Sequence, residues 1–392
     1  MNVAIFTDND LSQVNGVTTS VRAILRYAPP DVQARVYTCD GIGLDTPDCL
    51  ALRSLGLGIP YAGGTRMYWP RFRRLLSEAV RDAIDVIHLT TPGPVGLAAL
   101  FVAWRTGLPL IGTFHTDLAS YARILSGSAR LGALIREYVR WPYSCCRRVF
   151  VPSEATYRML AEARFNPATL AVWRLGVDAE LFTPARRSAS LRDRWQVSGR
   201  RPAVIYVGRI SREKGVERLA ALEATLRRWQ PVHRLVVVGD GPARRDLEAA
   251  CPDAVFTGTL PRVGAAEAMA SADLFVFPSE TDSAGNVVLE AQAAGLPVIV
   301  MEQGGPKEYV RDGVTGLVCG TYRDLLARTA ALVSDETVRC HMGRAAREHA
   351  RGLRWEPALA PLYAGYRAVA GLGLGRLRGA PTRPGAIGGR AS

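Results

Sequence analysis

Residues 272–290 read A-D-L-F-V-F-P-S-E-T-D-S-A-G-N-V-V-L-E, and this stretch decides the fold. The mostly apolar residues 272–277 suit a buried strand, and a helical pattern follows the Ser-, Thr-, Asp- and Gly-rich turn. This order places unpaired backbone N–H groups of about residues 284–287 at a helix start, which attracts anions. Asp282 and Glu290 flank that start, and two carboxylates placed there favour the hydroxyls of a sugar and a ribose over a metal.

The same alternation of strand and helix patterns extends outward from this stretch in both directions. Strand patterns occur at residues 2–7, 36–38, 85–89, 108–115, 148–153, 172–178, 203–207, 234–238, 254–258, 297–300 and 316–319. We therefore predict an α/β protein with two doubly wound domains facing a cleft. The predicted division is residues 1–180, a linker at 181–200, residues 201–354, a last helix at 355–370, and a disordered basic tail at 371–392. Residues 41–64 are expected to be a long surface connection.

Composition narrows the class of protein. The 392 residues include 49 basic and 36 acidic ones, a net charge of +13. This charge favours phosphate, whether of a nucleotide, a nucleic acid or an anionic membrane. The seven cysteines form no C-x-x-C pair, which indicates free thiols in a reducing compartment. The chain opens directly on a strand pattern and its longest apolar run, residues 94–104, is too short to cross a bilayer, so we expect a cytoplasmic protein with peripheral membrane contact.

Residues 65–81 combine five arginines with aromatic residues at one end and an apolar stripe at helical spacing. This pattern predicts an interfacial helix lying on anionic lipid. The residues predicted to contact the membrane are Arg66, Trp69, Arg71, Arg73 and Arg74. The alternative is a surface helix whose stripe packs on the core, and the sequence leaves both open.

Cationic residues follow a strand pattern in the second half, in G-R-I-S-R-E-K-G at residues 208–215. Arg209 offers a planar fork and Lys214 a mobile charge, so the pair suits a diphosphate at the carboxyl end of that strand. In the first half, Gly16 precedes a helix start, where glycine permits either close approach of a ligand or a tight turn. His115 ends another strand pattern, at the edge where open α/β sheets bind ligands. A lone histidine there is also compatible with a structural role.

Seven motifs in fixed order carry a family resemblance. They are Q-V-N-G-V (13–17), H-L-T-T-P-G-P-V-G-L (88–97), T-F-H-T-D (113–117), G-R-I-S-R-E-K-G, V-G-D-G-P (238–242), the stretch at 277–298 and G-G-P-K-E (304–308). With them the chain resembles the retaining glycosyltransferases of family 4, and within these the bacterial GDP-mannose-dependent α-mannosyltransferases and related glycolipid-forming enzymes. The resemblance implies the GT-B fold, two Rossmann-like domains facing a central cleft, with the last helix crossing back to the first.

The resemblance also implies the activity. The expected reaction is front-face transfer of a hexose, mannose from GDP-mannose, to a lipid-linked or polysaccharide acceptor at the inner face of the membrane. No cofactor or metal is expected. The alternative is a UDP-sugar donor with a soluble or different lipid acceptor. Nucleic-acid binding, which the charge permits, is not expected because no basic stretch fits a recognised module.

Residue roles follow from the resemblance position by position. The implied catalytic residues are His115, Arg209, Lys214 and Asp282. The implied nucleotide-binding residues are Gly16, Arg209, Lys214, Gly239, Gly285, Asn286, Val287 and Glu290. Asp8, Asn15 and Asp117 are expected to face the acceptor. Asp282 replaces the first glutamate of the family's E-x7-E pattern and Ala284 stands where relatives often have phenylalanine, which leaves the donor sugar open.

The segment Asp8-Asn9-Asp10 has the D-x-D spacing that binds a divalent metal in another glycosyltransferase fold. Here it follows the first strand of a doubly wound pattern and lacks that fold's context. We therefore expect no metal there, and we expect Asp8 to face the acceptor.

Overall fold

The computed structural model describes residues 1–9, 11, 15–38, 49–51, 56–58, 66–198, 201–229 and 232–377. The strands are β1 (Asn2–Phe6), β2 (Gln33–Thr38), β3 (Cys49–Ala51), β4 (Gly56–Gly58), β5 (Arg66–Tyr68), β6 (Val86–Leu89), β7 (Leu110–Thr113), β8 (Arg148–Val151), β9 (Leu170–Val172), β10 (Ala203–Val207), β11 (Arg234–Val238), β12 (Val255–Gly258), β13 (Leu274–Phe277), β14 (Val298–Met301) and β15 (Gly316–Cys319). The helices are α1 (Gly16–Arg26), α2 (Phe72–Arg81), α3 (Pro94–Thr106), α4 (Leu118–Ser126), α5 (Ala129–Ser144), α6 (Glu154–Glu162), α7 (Ala189–Trp195), α8 (Glu217–Trp229), α9 (Arg244–Ala250), α10 (Arg262–Ser271), α11 (Asn286–Ala293), α12 (Tyr322–Ser334), α13 (Glu336–Arg351) and α14 (Trp355–Leu377).

Two parallel sheets organise these elements. The first has the strand order β3-β2-β1-β6-β7-β8-β9, and the second has the order β12-β11-β10-β13-β14-β15. In each sheet the chain reverses its direction of winding beside the first strand, β1 or β10. Ligands of such sheets bind in the crevice at the carboxyl ends of the strands at this point. Strands β6 and β13 are buried throughout, as expected for a parallel sheet covered on both faces. The predicted α/β fold with two doubly wound halves is confirmed.

The last helix, α14, crosses back to the first half as predicted. The Tyr363 hydroxyl donates to the carbonyl of Ile24 in α1 at 2.8 Å. The Tyr366 hydroxyl lies 2.7 Å from Nδ1 of His88, a buried residue of β6 in the first sheet. The helix runs on to Leu377, past the predicted end at residue 370. The predicted tail is therefore helical at its start, and residues 378–392 lie outside the described residues.

The segment predicted as a linker contains ordered structure. Ser188 caps helix α7 by accepting from the Leu191 amide, and Trp195 at the end of this helix is buried. Arg192 also reaches Asp273, which precedes β13, at 3.0 Å. Charged and small residues make up most of α7, and a single tryptophan supplies its buried face. Such a helix has no periodic apolar pattern from which it could be predicted. The strand predicted at residues 172–178 is likewise shorter and earlier, since β9 ends at Val172. Within residues 41–64, β3 and β4 were not predicted.

Helix α2 shows where the apolar stripe of residues 65–81 packs, and membrane contact of the arginines in this segment stays a prediction. Leu75 and Ala79 of its apolar stripe are buried, and Phe72 packs edge-on against Phe101 of α3 at 5.6 Å. The stripe therefore packs on the core rather than facing outward. Arg66 lies in β5, outside the helix. Among the described residues, none of the helices is both long and apolar enough to span a bilayer.

Candidate active site

A cleft of about 430 Å³ lies where the carboxyl ends of both sheets meet. Its walls come from the loops after β1 and β7 in the first half and from those after β10 and β13 in the second. The predicted site residues that line it are Asn15, Gly16, His115, Arg209, Lys214, Asp282, Gly285, Asn286, Val287 and Glu290. The fold thus brings together residues that are more than two hundred positions apart in the chain.

Lys214 sits at the end of a 3₁₀ turn, Arg212–Lys214, that directly follows β10. The turn is closed by Gly215 at φ 68°, where a Cβ would lie 2.7 Å from the carbonyl oxygen of Pro278. Only glycine lets this turn pack beside the end of β13. The lysine Nζ consequently reaches Asp282 Oδ1 at 2.6 Å, and the two side chains are 16% and 15% exposed.

A tyrosine from the first half completes the surroundings of this lysine. The Lys214 ammonium lies 5.6 Å from the centre of the Tyr121 ring in α4, within cation–π range. Burial alone would lower the pKa of Lys214, but Asp282 and Tyr121 raise that pKa well above its ordinary value. The lysine therefore stays charged at any working pH. Arg209 lines the same cleft two residues after β10, with an exposed side chain.

Three buried side-chain atoms of cleft-lining residues lack a hydrogen-bond partner: Nε2 of His115, Oε2 of Glu213 and Oδ2 of Asp282. The His115 backbone is held in place by the Ser283 hydroxyl, which donates to its carbonyl at 2.5 Å. Burial lowers the pKa of His115 to about 4, so its imidazole is neutral at neutral pH. Buried polar atoms are almost always satisfied, so these three mark positions where a polar ligand fits.

Two helix N-termini face each other across the cleft. Gly285, at φ 76°, turns the chain into α11, and Asn286 begins that helix. Asn286 Nδ2 donates to the carbonyl of Gly16, the first residue of α1, at 3.3 Å. A Cβ on Gly16 would lie 3.6 Å from the same Nδ2, which is ordinary van der Waals contact, so this packing of the two halves does not require glycine. The Asn15 side chain caps α1 by accepting from the Thr18 amide, whereas α11 has no side-chain cap, so the start of α11 is the part of the cleft favourable for an anion.

Glu290 lies one turn further into α11 and faces the same cleft. Burial raises the pKa of Glu290 to about 7, Arg262 opposes this rise and Asp178 adds to it. The carboxylate oxygen lies 3.8 Å from Arg262 Nη2. The ionisation of this carboxylate therefore depends on its charged neighbours.

Three predicted site residues serve elsewhere. Asp8 accepts from the Thr91 hydroxyl at 2.6 Å and from the Val95 amide at 2.8 Å, which caps the start of α3. Asp117 caps α4 and lines a separate cavity. Both carboxylates thus stabilise helix starts, and their contact with the acceptor stays a prediction. Gly239 packs against Gly208, where a Cβ would lie 1.9 Å from the Gly208 oxygen, and it is not among the cleft-lining residues.

The two halves also contact each other beside the cleft. The Glu308 carboxylate accepts from the amides of Glu154 and Ala155, at 2.9 and 2.7 Å, and so caps α6 of the opposite half. The Ser283 carbonyl accepts from the Ser153 hydroxyl at 2.7 Å. Sequence reasoning quoted Glu308 within G-G-P-K-E but gave it no role. Tyr121, Arg262 and Ser283 were missed because their partners lie in the other half of the chain.

Among the described residues, no cluster of three or more His, Cys, Asp or Glu side chains is arranged to hold a metal ion. The Asp8 carboxylate of the D-x-D segment accepts hydrogen bonds at the start of α3. Asp10 lies outside the described residues. Independence from metal stays a prediction.

Comparison with known proteins agrees with this architecture. A family model described as Glycosyltransferase Family 4 matches residues 14–181. A second, described as Glycosyl transferases group 1, matches residues 188–349. The chain therefore belongs to the family 4, group 1 glycosyltransferases, and it is a hexosyltransferase.

Individual relatives are similar over nearly the whole chain. A GDP-mannose-dependent alpha-mannosyltransferase of Corynebacterium glutamicum is 31% identical, over 95% of this chain and 90% of the relative. The sulfoquinovosyl transferase SQD2 of Arabidopsis thaliana is also 31% identical, over 91% of this chain and 71% of the relative. Anabaena HepE, solved in complex with UDP and glucose, superposes with a TM-score of 0.75 at 17% identity, over 94% of this chain and all of HepE. This last likeness establishes the GT-B fold alone.

Proposed function

We propose that this enzyme transfers mannose from GDP-mannose to a lipid-linked or polysaccharide acceptor, with retention of the anomeric configuration. The observation that carries the proposal is the convergence of Arg209, Lys214, Asp282 and Glu290 on one cleft. Two cations suit a diphosphate, and two carboxylates suit hydroxyl groups. The mannosyltransferase from C. glutamicum supports the choice of donor.

The chemistry follows from where charge develops. In a front-face substitution, the bond between the anomeric carbon and the diphosphate oxygen breaks while the acceptor oxygen attacks from the same side. The acceptor's hydroxyl proton passes to the departing phosphate oxygen. Arg209 and Lys214 then face an oxygen whose negative charge has grown, and such a preorganised contact contributes about 3 kcal/mol. Asp282 is a weak nucleophile because its charge is already neutralised by the ammonium 2.6 Å away.

The sugar fits two of the three unpartnered atoms. Nε2 of neutral His115 and Oδ2 of Asp282 are buried in the cleft wall and available to hydroxyls of the hexose. Glu290, set further along α11, is available to the ribose. On the acceptor side, Asn15 lines the cleft and is fixed by capping α1. Of the three residues that the sequence offered for the acceptor, Asn15 is the one that lines the cleft.

The donor is tested by incubating the protein with GDP-mannose, UDP-glucose and UDP-N-acetylglucosamine in turn. We expect turnover of GDP-mannose, with an α-linked product identified by mass measurement and by the anomeric NMR signal. The Lys214→Met variant, which should lose turnover with every donor, controls for contaminating hydrolases. Turnover of either UDP-sugar with GDP-mannose ignored would refute the proposed donor.

A UDP-sugar donor is the second candidate. Asp282 stands where the family's pattern has glutamate, and it is committed to Lys214, so the sugar pocket differs from the family's usual one. A relative named as a sulfoquinovosyl transferase has the same 31% identity to this chain as the mannosyltransferase, so relatives of equal identity are named for different sugars. The donor panel above decides between the two candidates.

We further propose that the enzyme acts at an anionic membrane face in the cytoplasm. The support comes from a surface that we call the aromatic–arginine face. It comprises Trp69, Arg71, Arg73, Arg74, Phe101, Trp104, Arg105, Trp141 and Arg147. Trp104 is 76% exposed and Trp141 is 56% exposed, and apolar residues of α3 line the groove beside them. The Arg105 guanidinium lies 5.8 Å from the Trp104 ring. Exposed tryptophans next to arginines suit the interface of an anionic bilayer.

The membrane proposal is tested by co-sedimentation with vesicles of phosphatidylglycerol and phosphatidylcholine. Trp104→Ser combined with Trp141→Ser should reduce binding to the anionic vesicles, and Arg71, Arg73 and Arg74 changed to glutamate should abolish the preference for them. Trp229→Ser is the matched control, since Trp229 is 55% exposed but lies in the second half. Equal binding by all variants would contradict the proposal.

A further inference from the structure

Arg262 is an arginine without a place in any sequence motif that nevertheless contacts the candidate nucleotide site. It begins α10, and its Nη2 lies 3.8 Å from Glu290 Oε1. The Glu290 side chain is 17% exposed, so this carboxylate has little access to water. A charge in such a position needs a nearby opposite charge to remain ionised.

Two further contacts fix the guanidinium of Arg262. Its Nη1 donates to the Thr19 hydroxyl at 3.2 Å, and Thr19 belongs to α1 of the first half. Its Cζ lies 5.5 Å from the centre of the Phe182 ring, which is fully buried. Two contacts therefore fix the position of the arginine. The contact with Thr19 exists only while the two halves are together.

The other charged groups around Glu290 do not replace Arg262. Asp178 opposes ionisation of Glu290, and Asp178 itself is paired with Arg26 of α1 at 3.3 Å. Lys214, in the same cleft, is committed to Asp282. Arg209 lines the cleft but follows β10 and is exposed. Among the described residues, the ion pair that Glu290 makes is the one with Arg262.

We propose that Arg262 is a positioning residue that keeps Glu290 ionised and directed at the ribose hydroxyls of the bound nucleotide, and that Thr19 completes this arrangement when the two halves close. The inference rests on the proposed function, since it takes the ligand to be a nucleoside diphosphate sugar. It adds a residue outside the family motifs to the donor site.

The expected signature is a change in pH dependence. Burial raises the pKa of Glu290 to about 7 with Arg262 in place. Removing the arginine raises this pKa further, so the carboxyl group is protonated over more of the neutral range. A protonated carboxyl is the weaker acceptor for a hydroxyl. Nucleotide binding should therefore weaken most at low pH and recover as the pH rises.

The test is calorimetric titration of GDP and UDP into wild type and Arg262→Met between pH 6 and pH 8.5. An opposite charge at this distance lowers a carboxyl pKa by about one unit, so the variant should bind roughly five-fold more weakly at pH 7 and less than two-fold more weakly at pH 8.5. Arg262→Lys should restore most of the wild-type profile because it keeps the charge. A 2′,3′-dideoxy nucleotide, which lacks the hydroxyls in question, should bind wild type and Arg262→Met alike.

The outcomes separate this inference from the proposed function. If wild type binds neither GDP nor UDP, the proposed function fails. If wild type binds and Arg262→Met loses affinity equally at every pH, or equally for the dideoxy nucleotide, the positioning role is overturned. Thr19→Val, which keeps both charged residues, should shift the profile in the same direction by a smaller amount. It also provides the test should Arg262→Met fail to fold, and an unchanged profile in Thr19→Val would then overturn the inference.

Discussion

Replacing Lys214 by methionine tests the centre of the site most directly. The substitution keeps the length of the side chain but removes the ammonium that lies 2.6 Å from Asp282 and 5.6 Å from the Tyr121 ring. Two separate losses follow. The folded protein is left with an unpaired carboxylate, and the reaction loses a cation beside the departing diphosphate.

The structure gives each loss a size. Removing one partner of a buried ion pair costs about 3 kcal/mol at the low end of the usual range, which applies here because both side chains retain some exposure. Removing one preorganised contact to a developing negative charge costs about 3 kcal/mol in the transition state, or about 150-fold in turnover. The ratio of kcat/KM between two donors should stay unchanged, because the lysine is placed for the diphosphate and not for the sugar or the base.

A double variant separates the two effects. Lys214→Met combined with Asp282→Asn removes both charges, so the free energy of unfolding should return to within about 1 kcal/mol of wild type. Turnover should remain low. Urea denaturation measures the first quantity and steady-state kinetics measures the second. A single Lys214→Met variant that keeps more than a third of wild-type turnover would refute the role assigned to the lysine.

Other predictions concern contacts further from the chemistry. Glu308→Gln should weaken the cap that joins the halves, lowering the free energy of unfolding by about 1 kcal/mol and raising KM for the donor; no change in either quantity would contradict this. Gly239→Ala should prevent stable folding, because its Cβ would lie 1.9 Å from a backbone oxygen, whereas Gly313→Ala, with open space around it, should cost about 1 kcal/mol in urea denaturation. Burial lowers the pKa of His88 to about 3 and of His115 to about 4, from 6.5 in the unfolded chain. Below pH 6.5 these histidines therefore bind protons in the unfolded state but not in the folded state. The free energy of unfolding should fall towards pH 4 by up to about 1.4 kcal/mol per pH unit for each histidine. A free energy of unfolding that does not change with pH over this range would count against their burial.

The elements that the sequence predicted well are those whose signal is local. The runs at β10 and β13 are apolar over the full strand and β11 is apolar after its first residue, and the glycine-containing turns that follow these strands have few conformational options. Lys214 and Asp282 could be placed because each directly follows such a strand, and parallel strands end at a common edge. Distance along the chain was irrelevant once the two strands were known to be neighbours.

The elements that the sequence predicted poorly are those whose structure depends on contacts with residues elsewhere in the chain. The apolar stripe of α2 has the same spacing whether it faces lipid or Phe101 of α3, so periodicity alone does not decide its orientation. Asp8 and Asp117 follow strands just as Lys214 does, but each of these carboxylates caps the start of a nearby helix, α3 or α4. Arg262 has no local signal at all, because its contacts are Glu290 and a threonine from the opposite half.

The charged groups of the cleft are already paired before any ligand binds, and this has a consequence for the donor. Lys214 forms an ion pair with Asp282, and Glu290 forms an ion pair with Arg262. A diphosphate must therefore exchange one partner for another, and Asp282, once released from the lysine, needs a new donor of hydrogen bonds. Under the proposed function, hydroxyls of the bound sugar would supply these bonds to the unpartnered Oδ2. We therefore predict that diphosphate and sugar bind as a linked pair of events, which favours the whole nucleotide sugar over the free nucleotide, and that the aspartate, one methylene shorter than the family's glutamate, is the point at which donor choice is set.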